Sequence, residues 1–252
     1  MIEFKHPLGN LKISLIKFLA KSISEIILFF LSLFLRIDKK KSEIIISSAI
    51  WAPWKEDKDF KNFHEKINRY TLLDIKRLYS LWYFSNLLKF EKGNILDIGC
   101  LKGGAGFTMA KANKFGKTIL IDTFEGLVEE EEYHKKGHFV FDNISLVENK
   151  IKSLKLKNTH VIKGNFPKTK KSRNIGKLVK LCHIDVNTYN STKLAFNFVK
   201  NKVIKNGVII FDDYGIYSTD AIKKFIKIIS KKNKNQFTFI NNYMGQCILI
   251  KK

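Results

Sequence analysis

Ile95-Leu96-Asp97-Ile98-Gly99-Cys100-Leu101-Lys102-Gly103-Gly104 is the stretch on which the reading of this chain turns. An apolar run that ends in glycines reads as a strand turning tightly into a helix, with a backbone that a ligand can approach. From here to the C-terminus short apolar runs alternate with amphipathic stretches. Strands are expected at Ile95–Ile98, Thr118–Ile121, Thr159–Ile162, Leu181–Ile184, Val208–Phe211, Phe237–Ile240 and Cys247–Ile250. Between them, Ile144, Val147, Ile151 and Leu154 share one helical stripe, as do Leu194, Ala195, Phe198 and Val199, and then Ala221, Ile222, Phe225, Ile226 and Ile229. Continuous apolar strands alternating with such helices predict an α/β fold, a mostly parallel seven-stranded sheet covered on both faces. The last two strands follow each other across Asn241–Gly245 with no helix between them, which predicts an antiparallel hairpin at the C-terminal edge.

Upstream, Leu72, Ile75, Leu78, Leu81 and Phe84 mark a helical region over about 62–89, and 38–59 reads as a connector with Trp51 and Trp54 flanking Pro53. Residues 10–37 are strongly apolar but are interrupted by Lys17, Lys21 and Glu25. The longest uncharged run, Ile26–Leu35, has ten residues against the roughly 20 that span a bilayer. Two readings stay open: helices packed on protein, or an interfacial membrane helix anchored by Leu28, Phe29, Phe30 and Phe34. The expected division is an N-terminal segment over 1–61 and a larger α/β domain over 62–252.

The 252 residues can bury a core without staples, and 45% hydrophobic content excludes disorder for most of the chain. The net charge of +23 rests on lysine: of 46 basic residues only Arg36, Arg69, Arg77 and Arg173 are arginines. Nucleic-acid readers favour the bidentate arginine fork, so this balance argues against a nucleic-acid partner. Cys100, Cys182 and Cys247 each stand in or beside an apolar run, as buried free thiols of a reducing compartment do. The expected location is cytoplasmic, with membrane association through residues 10–37 as the open alternative.

In an open α/β sheet, ligands bind beyond the carboxyl ends of the strands. The first of these ends lacks the G-x-G-x-x-G spacing of a dinucleotide site, having Gly99 and then Gly103 and Gly104. The second ends in Asp122, 23 residues after Gly99, the distance at which an acid accepts hydrogen bonds from ribose hydroxyls. The fourth runs into His183-Ile184-Asp185-Val186-Asn187 and the fifth into Asp212-Asp213-Tyr214. If both strands end at one edge, Asp185, Asp212 and Asp213 converge and repel unless a counter-charge joins them. Three carboxylates suit Mg²⁺.

The block Asp97–Gly104, then Asp122-Thr123-Phe124-Glu125-Gly126-Leu127, His183-Ile184-Asp185 and Phe211-Asp212-Asp213-Tyr214-Gly215 resembles the macrocin O-methyltransferase (TylF-type) family. The resemblance covers about 65–250 and implies a Rossmann-like class I methyltransferase, with S-adenosylmethionine and Mg²⁺ as cofactors. The implied acceptor is a hydroxyl of a sugar, glycan or small molecule, and a homo-oligomer is expected. By this resemblance Gly99, Cys100, Lys102, Gly103 and Gly104 line the methionine part of the cofactor, and Asp122, Thr123 and Phe124 the ribose. Asn165 and Phe166 lie near the adenine, and Asp185, Asp212 and Asp213 bind the metal. The segment 125–142, with His134 and His138, resembles the family's lid. One departure stands out: where relatives carry a second aspartate as general base, this chain has Asn187, whose amide accepts no proton at neutral pH. Either the cation alone acidifies the hydroxyl, or a histidine such as His183 or His138 takes the proton, or the fold binds cofactor without turnover.

Overall fold

The computed structural model describes residues 10–35, 37, 42–45 and 51–252. The chain divides into two units, Met1–Pro53 and Trp54–Lys252. The second unit begins eight residues before the boundary expected at 62, which falls inside a helix, α3 (Lys58–Ile67). That helix belongs to the second unit because Phe60, Phe63 and Ile67 are buried in its core.

In the first unit, α1 (Asn10–Phe34) forms one uninterrupted helix, as a stretch without Gly or Pro allows. At ~1.5 Å per residue it is about 38 Å long. The Ser24 hydroxyl donates to the Ile44 carbonyl at 2.6 Å, while Phe18 is 66% and Phe34 85% exposed. Among the described residues no helix is long and apolar enough to cross a membrane. The basic cluster Lys39–Lys41 lies outside the described residues.

In the second unit a short helix, α2 (Pro53–Glu56), precedes α3, and α4 (Ile75–Leu87) follows a break at Thr71–Asp74. The helical region read over 62–89 is therefore two helices: Ile75, Leu78, Leu81 and Phe84 of the threefold spacing lie in α4, and Leu72, in the break, is 63% exposed. Asp74 caps α4 by accepting from the Lys76 and Arg77 N–H groups at 2.9 and 3.1 Å.

All seven expected strands form: β1 (Asn94–Ile98), β2 (Thr118–Asp122), β3 (Thr159–Lys163), β4 (Val179–Ile184), β5 (Val203–Phe211), β6 (Phe237–Asn241) and β7 (Cys247–Lys251). Their order is β3-β2-β1-β4-β5-β7-β6, parallel except for β7, which is antiparallel to both neighbours. Helices α5 (Gly104–Ala112), α6 (Ile144–Ser153), α7 (Tyr189–Val199) and α8 (Asp220–Lys232) complete the layers. Alternation along the strands divides the core. Leu96, Ile98, Cys182, Ile184, Ile209 and Phe211 pack with α7 and α8, while Ile95, Leu181, Val208 and Ile210 pack with α3, α4 and α5.

Strand order reverses between β1 and β4, so their carboxyl ends diverge into connections on opposite sides and leave a crevice. Gly99 closes the bottom of that crevice. Its φ is +89°, and a Cβ there would lie 1.8 Å from the Asp185 carbonyl oxygen, so only glycine lets β1 pass the end of β4 this closely.

Candidate active site

A cavity of about 250 Å³ occupies the crevice. Each parallel strand end contributes to its wall: Gly99 and Cys100 after β1, Asp122 and Thr123 at β2, and Asn165 and Phe166 beyond β3. Asp185 and Asn187 follow after β4, Asp213 after β5, and Arg77 comes in from α4. Gly104 lines the wall as well, at the start of α5.

On the β1–β2 flank the Asp122 carboxylate is tied to backbone. Its oxygens accept from the Leu101 N–H at 2.8 Å and the Phe124 N–H at 2.9 Å. Burial raises its pKa, and these two hydrogen bonds pull the other way. Each carboxylate oxygen has a second lone pair, so acceptor capacity remains on the cavity side. Cys100 is buried in the wall, and burial drives its thiol pKa well up, so it stays an uncharged, apolar lining. All three cysteines are free and buried.

Three residues expected at the cofactor stand off the cavity. The Lys102 ammonium lies over the Phe141 ring, 5.9 Å from its centre. Gly103 is the N-cap of α5 at φ +90°, and a Cβ there would meet the Phe107 ring at 2.6 Å, so its glycine answers to packing. Phe124 is 1% exposed and belongs to the core beneath.

On the β4–β5 flank, register does the positioning. Asp97 pairs with His183 across β1 and β4, and both point to the face covered by α4 and α5. His183 Nδ1 therefore lies 2.8 Å from Asp97 Oδ1, with both side chains sealed from solvent. Burial opposes a charge on this imidazole, but the bond to Asp97 and its carboxylate charge outweigh it, and the pKa is raised. Asp212 follows β5 on the same face. Its Oδ2 accepts from the Arg77 guanidinium at 2.6 Å, and Asp213 Oδ1 lies 3.3 Å from the same nitrogen. Arg77 is aimed by Asp74, whose Oδ2 accepts from Nε at 2.9 Å.

The counter-charge that three converging carboxylates demand is thus supplied in part by an arginine, which the sequence reading did not place here. The signal was available: Arg77 precedes Leu81 and Phe84 by four and seven residues, on the apolar stripe of α4. Burial lifts the Asp212 pKa to about 6 against the pull of His183 and Arg77. Burial and the charges of Asp213 and Asp212 hold Asp185 well above the carboxylate range. Among the described residues, His183 Nε2, Asp212 Oδ1 and Asp97 Oδ2 have no hydrogen-bond partner, while a hydrogen bond from the Gln246 side chain pulls the Asp212 pKa down.

Neither His183 nor Asp212 lines the cavity, whereas His134 does. His134 is 8% exposed, and its Nε2 is also without a partner. Burial and the nearby His138 lower its pKa against the pull of Asp213 and Glu131. His138 is exposed, accepts at Nδ1 from the Lys135 N–H at 3.2 Å, and stands off the wall. Asn187 has φ +58°, a left-handed conformation that Asn and Asp tolerate better than other side chains.

The 125–142 segment is latched to the start of α7. Glu129 accepts from the Thr188 hydroxyl, from the Ser191 N–H and hydroxyl at 3.0 Å each, and from Asn190 at 3.0 Å. Glu131 accepts from the Tyr189 N–H at 2.8 Å. Burial would raise the Glu129 pKa, but the Thr188, Asn190 and Ser191 donors win and lower it. The acidic run thereby caps a helix beside Asn187.

The family model for macrocin O-methyltransferase (TylF) matches residues 65–241. The chain belongs to that family. It is a S-adenosylmethionine-dependent O-methyltransferase. Among solved structures, this family member's fold is similar to the O-methyltransferase NovP, with a TM-score of 0.63 at 17% identity, covering 73% of this chain and 82% of that one. It is also similar to CalS11, calicheamicin methyltransferase, with a TM-score of 0.59 at 10% identity, covering 81% and 99%. An O-methyltransferase from Bacillus cereus in complex with SAH gives 0.54 at 14% identity, covering 76% and 91%. No curated protein matches the sequence.

Proposed function

We propose that this O-methyltransferase methylates a hydroxyl of a sugar, glycan or small-molecule acceptor, at a divalent-cation site on the β4–β5 flank of the cavity. The observation that carries this reading is the division of one cavity into two chemistries. Asp122, Asn165 and Phe166 offer a carboxylate, an amide and a ring on one wall, which suits a nucleoside; Asp185, Asn187 and Asp213 offer oxygen donors on the other. The orphaned Asp212 Oδ1 beside Asp185 fits a hard cation, Mg²⁺ being the family expectation. The methyl group comes from the sulfonium of S-adenosylmethionine, and the cation lowers the pKa of the acceptor hydroxyl.

The chain's own part is to bind, align and accept a proton. Asp122, held by two backbone N–H groups, is placed to receive ribose hydroxyls. The Glu129 and Glu131 latch holds the 125–142 segment over the acceptor side. With an amide at 187, His134 is the group on the wall that is uncharged at neutral pH and has a free nitrogen, so it takes the proton role assigned to aspartate in relatives. His183 is sealed against Asp97, and His138 stands off the wall.

The name of one neighbour supports a sugar as acceptor class: CalS11 is described as a TDP-rhamnose 3'-O-methyltransferase. For residues 10–37, the exposed Phe18, Phe29, Phe30 and Phe34 on a lysine-bearing helix support peripheral membrane contact. The full chain should then float with anionic vesicles, and a chain starting at Trp54 should not. Calorimetric titration of S-adenosylmethionine into the protein, with Mg²⁺ and then with chelator, tests the central reading. Micromolar binding in both conditions, with turnover of hydroxyl acceptors only when Mg²⁺ is present, is expected. No binding by the folded protein would overturn it.

A further inference from the structure

We propose that His183 is itself a ligand of the site's cation, forming with Asp185 and Asp212 a mixed nitrogen–oxygen set that prefers a first-row transition dication to Mg²⁺. The inference rests on the divalent-cation reading above and changes its donor set.

The geometry is that one imidazole nitrogen of His183, one oxygen of Asp185 and one of Asp212 lie within 4.8 Å of one another. An octahedral ion with bonds of ~2.1 Å holds neighbouring ligands about 3.0 Å and opposite ligands about 4.2 Å apart, so closure requires only side-chain adjustment. His183 Nε2 and Asp212 Oδ1 are buried and unpartnered. Each belongs to a side chain whose other polar atom is already engaged. His183 Nδ1 pairs with Asp97 Oδ1 at 2.8 Å, and Asp212 Oδ2 with Arg77 at 2.6 Å. A carboxylate on one ring nitrogen and a free lone pair on the other is the arrangement by which proteins fix the orientation of a metal-bound histidine.

A purely structural imidazolium explains the site less well, because its Nε2 proton would be buried with no acceptor. Asp213 is not in the set: the ligand atoms that lie together are those of His183, Asp185 and Asp212. Imidazole ligation disfavours Mg²⁺, which takes oxygen donors and sheds water reluctantly, and favours transition ions.

The test uses the full chain loaded with Mn²⁺ and pulsed electron paramagnetic resonance. A ¹⁴N coupling is expected. It should convert to ¹⁵N in protein labelled with ¹⁵N-histidine, persist in His134→Asn and vanish in His183→Gln. Mg²⁺ should displace Mn²⁺ from the wild type only at a hundredfold excess or more, and from His183→Gln at an excess roughly tenfold smaller. If His183→Gln fails to fold, the labelled wild type and His134→Asn still decide: nitrogen coupling that survives in His134→Asn supports the assignment, and coupling lost there overturns it. Bound Mn²⁺ without nitrogen coupling would overturn the donor set while leaving the cation site standing. Absence of Mn²⁺ binding, in protein that still binds S-adenosylmethionine in chelator, would overturn the cation reading along with this inference.

Discussion

The two ends of β4 bury charge in opposite ways. At its start, Lys180 is fully buried, and its ammonium donates to the Glu91 and Phe115 carbonyls at 3.0 Å each and to the Lys89 carbonyl at 3.5 Å. Three donors meet three acceptors. At its end, His183 and the adjoining Asp97 and Asp212 are buried just as deeply, yet each keeps one polar atom without a partner. A buried polar atom left unpaired costs about 1–3 kcal/mol, so the saturated charge holds the fold together, and the unsaturated end is where we place the proposed cation.

The largest effect should come from the unsaturated end. Asp212→Asn removes an oxygen of the proposed cation site and the partner of Arg77, and turnover should fall roughly 10²–10³-fold, with affinity for S-adenosylmethionine within about twofold of wild type. Retained cation-dependent turnover would break the comparison, because the orphaned oxygen would then have no task. Next comes His134, the proposed proton acceptor. His134→Asn should lower kcat by roughly 10²-fold, and adding Asn187→Asp should restore most of it, since the left-handed backbone at 187 accepts Asp as readily as Asn. If the single His134 variant turns over normally, cation acidification of the hydroxyl suffices.

The smallest effect on activity belongs to the saturated end. Lys180→Met strands three carbonyls and should cost about 1–3 kcal/mol of stability in denaturant titration, with kcat unchanged. Its pH dependence sharpens the contrast. Burial lowers the Lys180 pKa to about 8 from 10.5, so between those values the folded chain carries fewer protons than the unfolded chain. Stability from this group therefore rises with pH across that window, and wild type should gain on Lys180→Met from pH 8 to 10.5. A flat difference would place the ammonium in water.

Much of the fold was legible because strands and helices are local. Apolar runs such as Val208–Phe211 can be buried on both faces only in a covered sheet, and the stripe at Ile222, Phe225, Ile226 and Ile229 buries as read. The strand-end acids were legible for the same reason, since the carboxyl end of a parallel strand is where α/β sheets bind ligands. The domain start was not: Phe60 and Phe63 precede the boundary drawn at 62 or stand just beyond it, and only packing shows that they are core.

By itself the sequence determined the order of elements, the glycine turn at Gly99 and the presence of Asp122, Asp185, Asp212 and Asp213 at strand ends, all matters of residue type and short spacing. The tertiary structure alone decided which of these groups meet. Register across β1 and β4 set His183 against Asp97. The docking of α4 brought Arg77 to Asp212 across 135 residues of chain, and the 125–142 segment brought His134 to the cavity wall. Long-range pairing of charge depends on how faces pack, and no local pattern encodes the distance between two side chains that far apart in sequence.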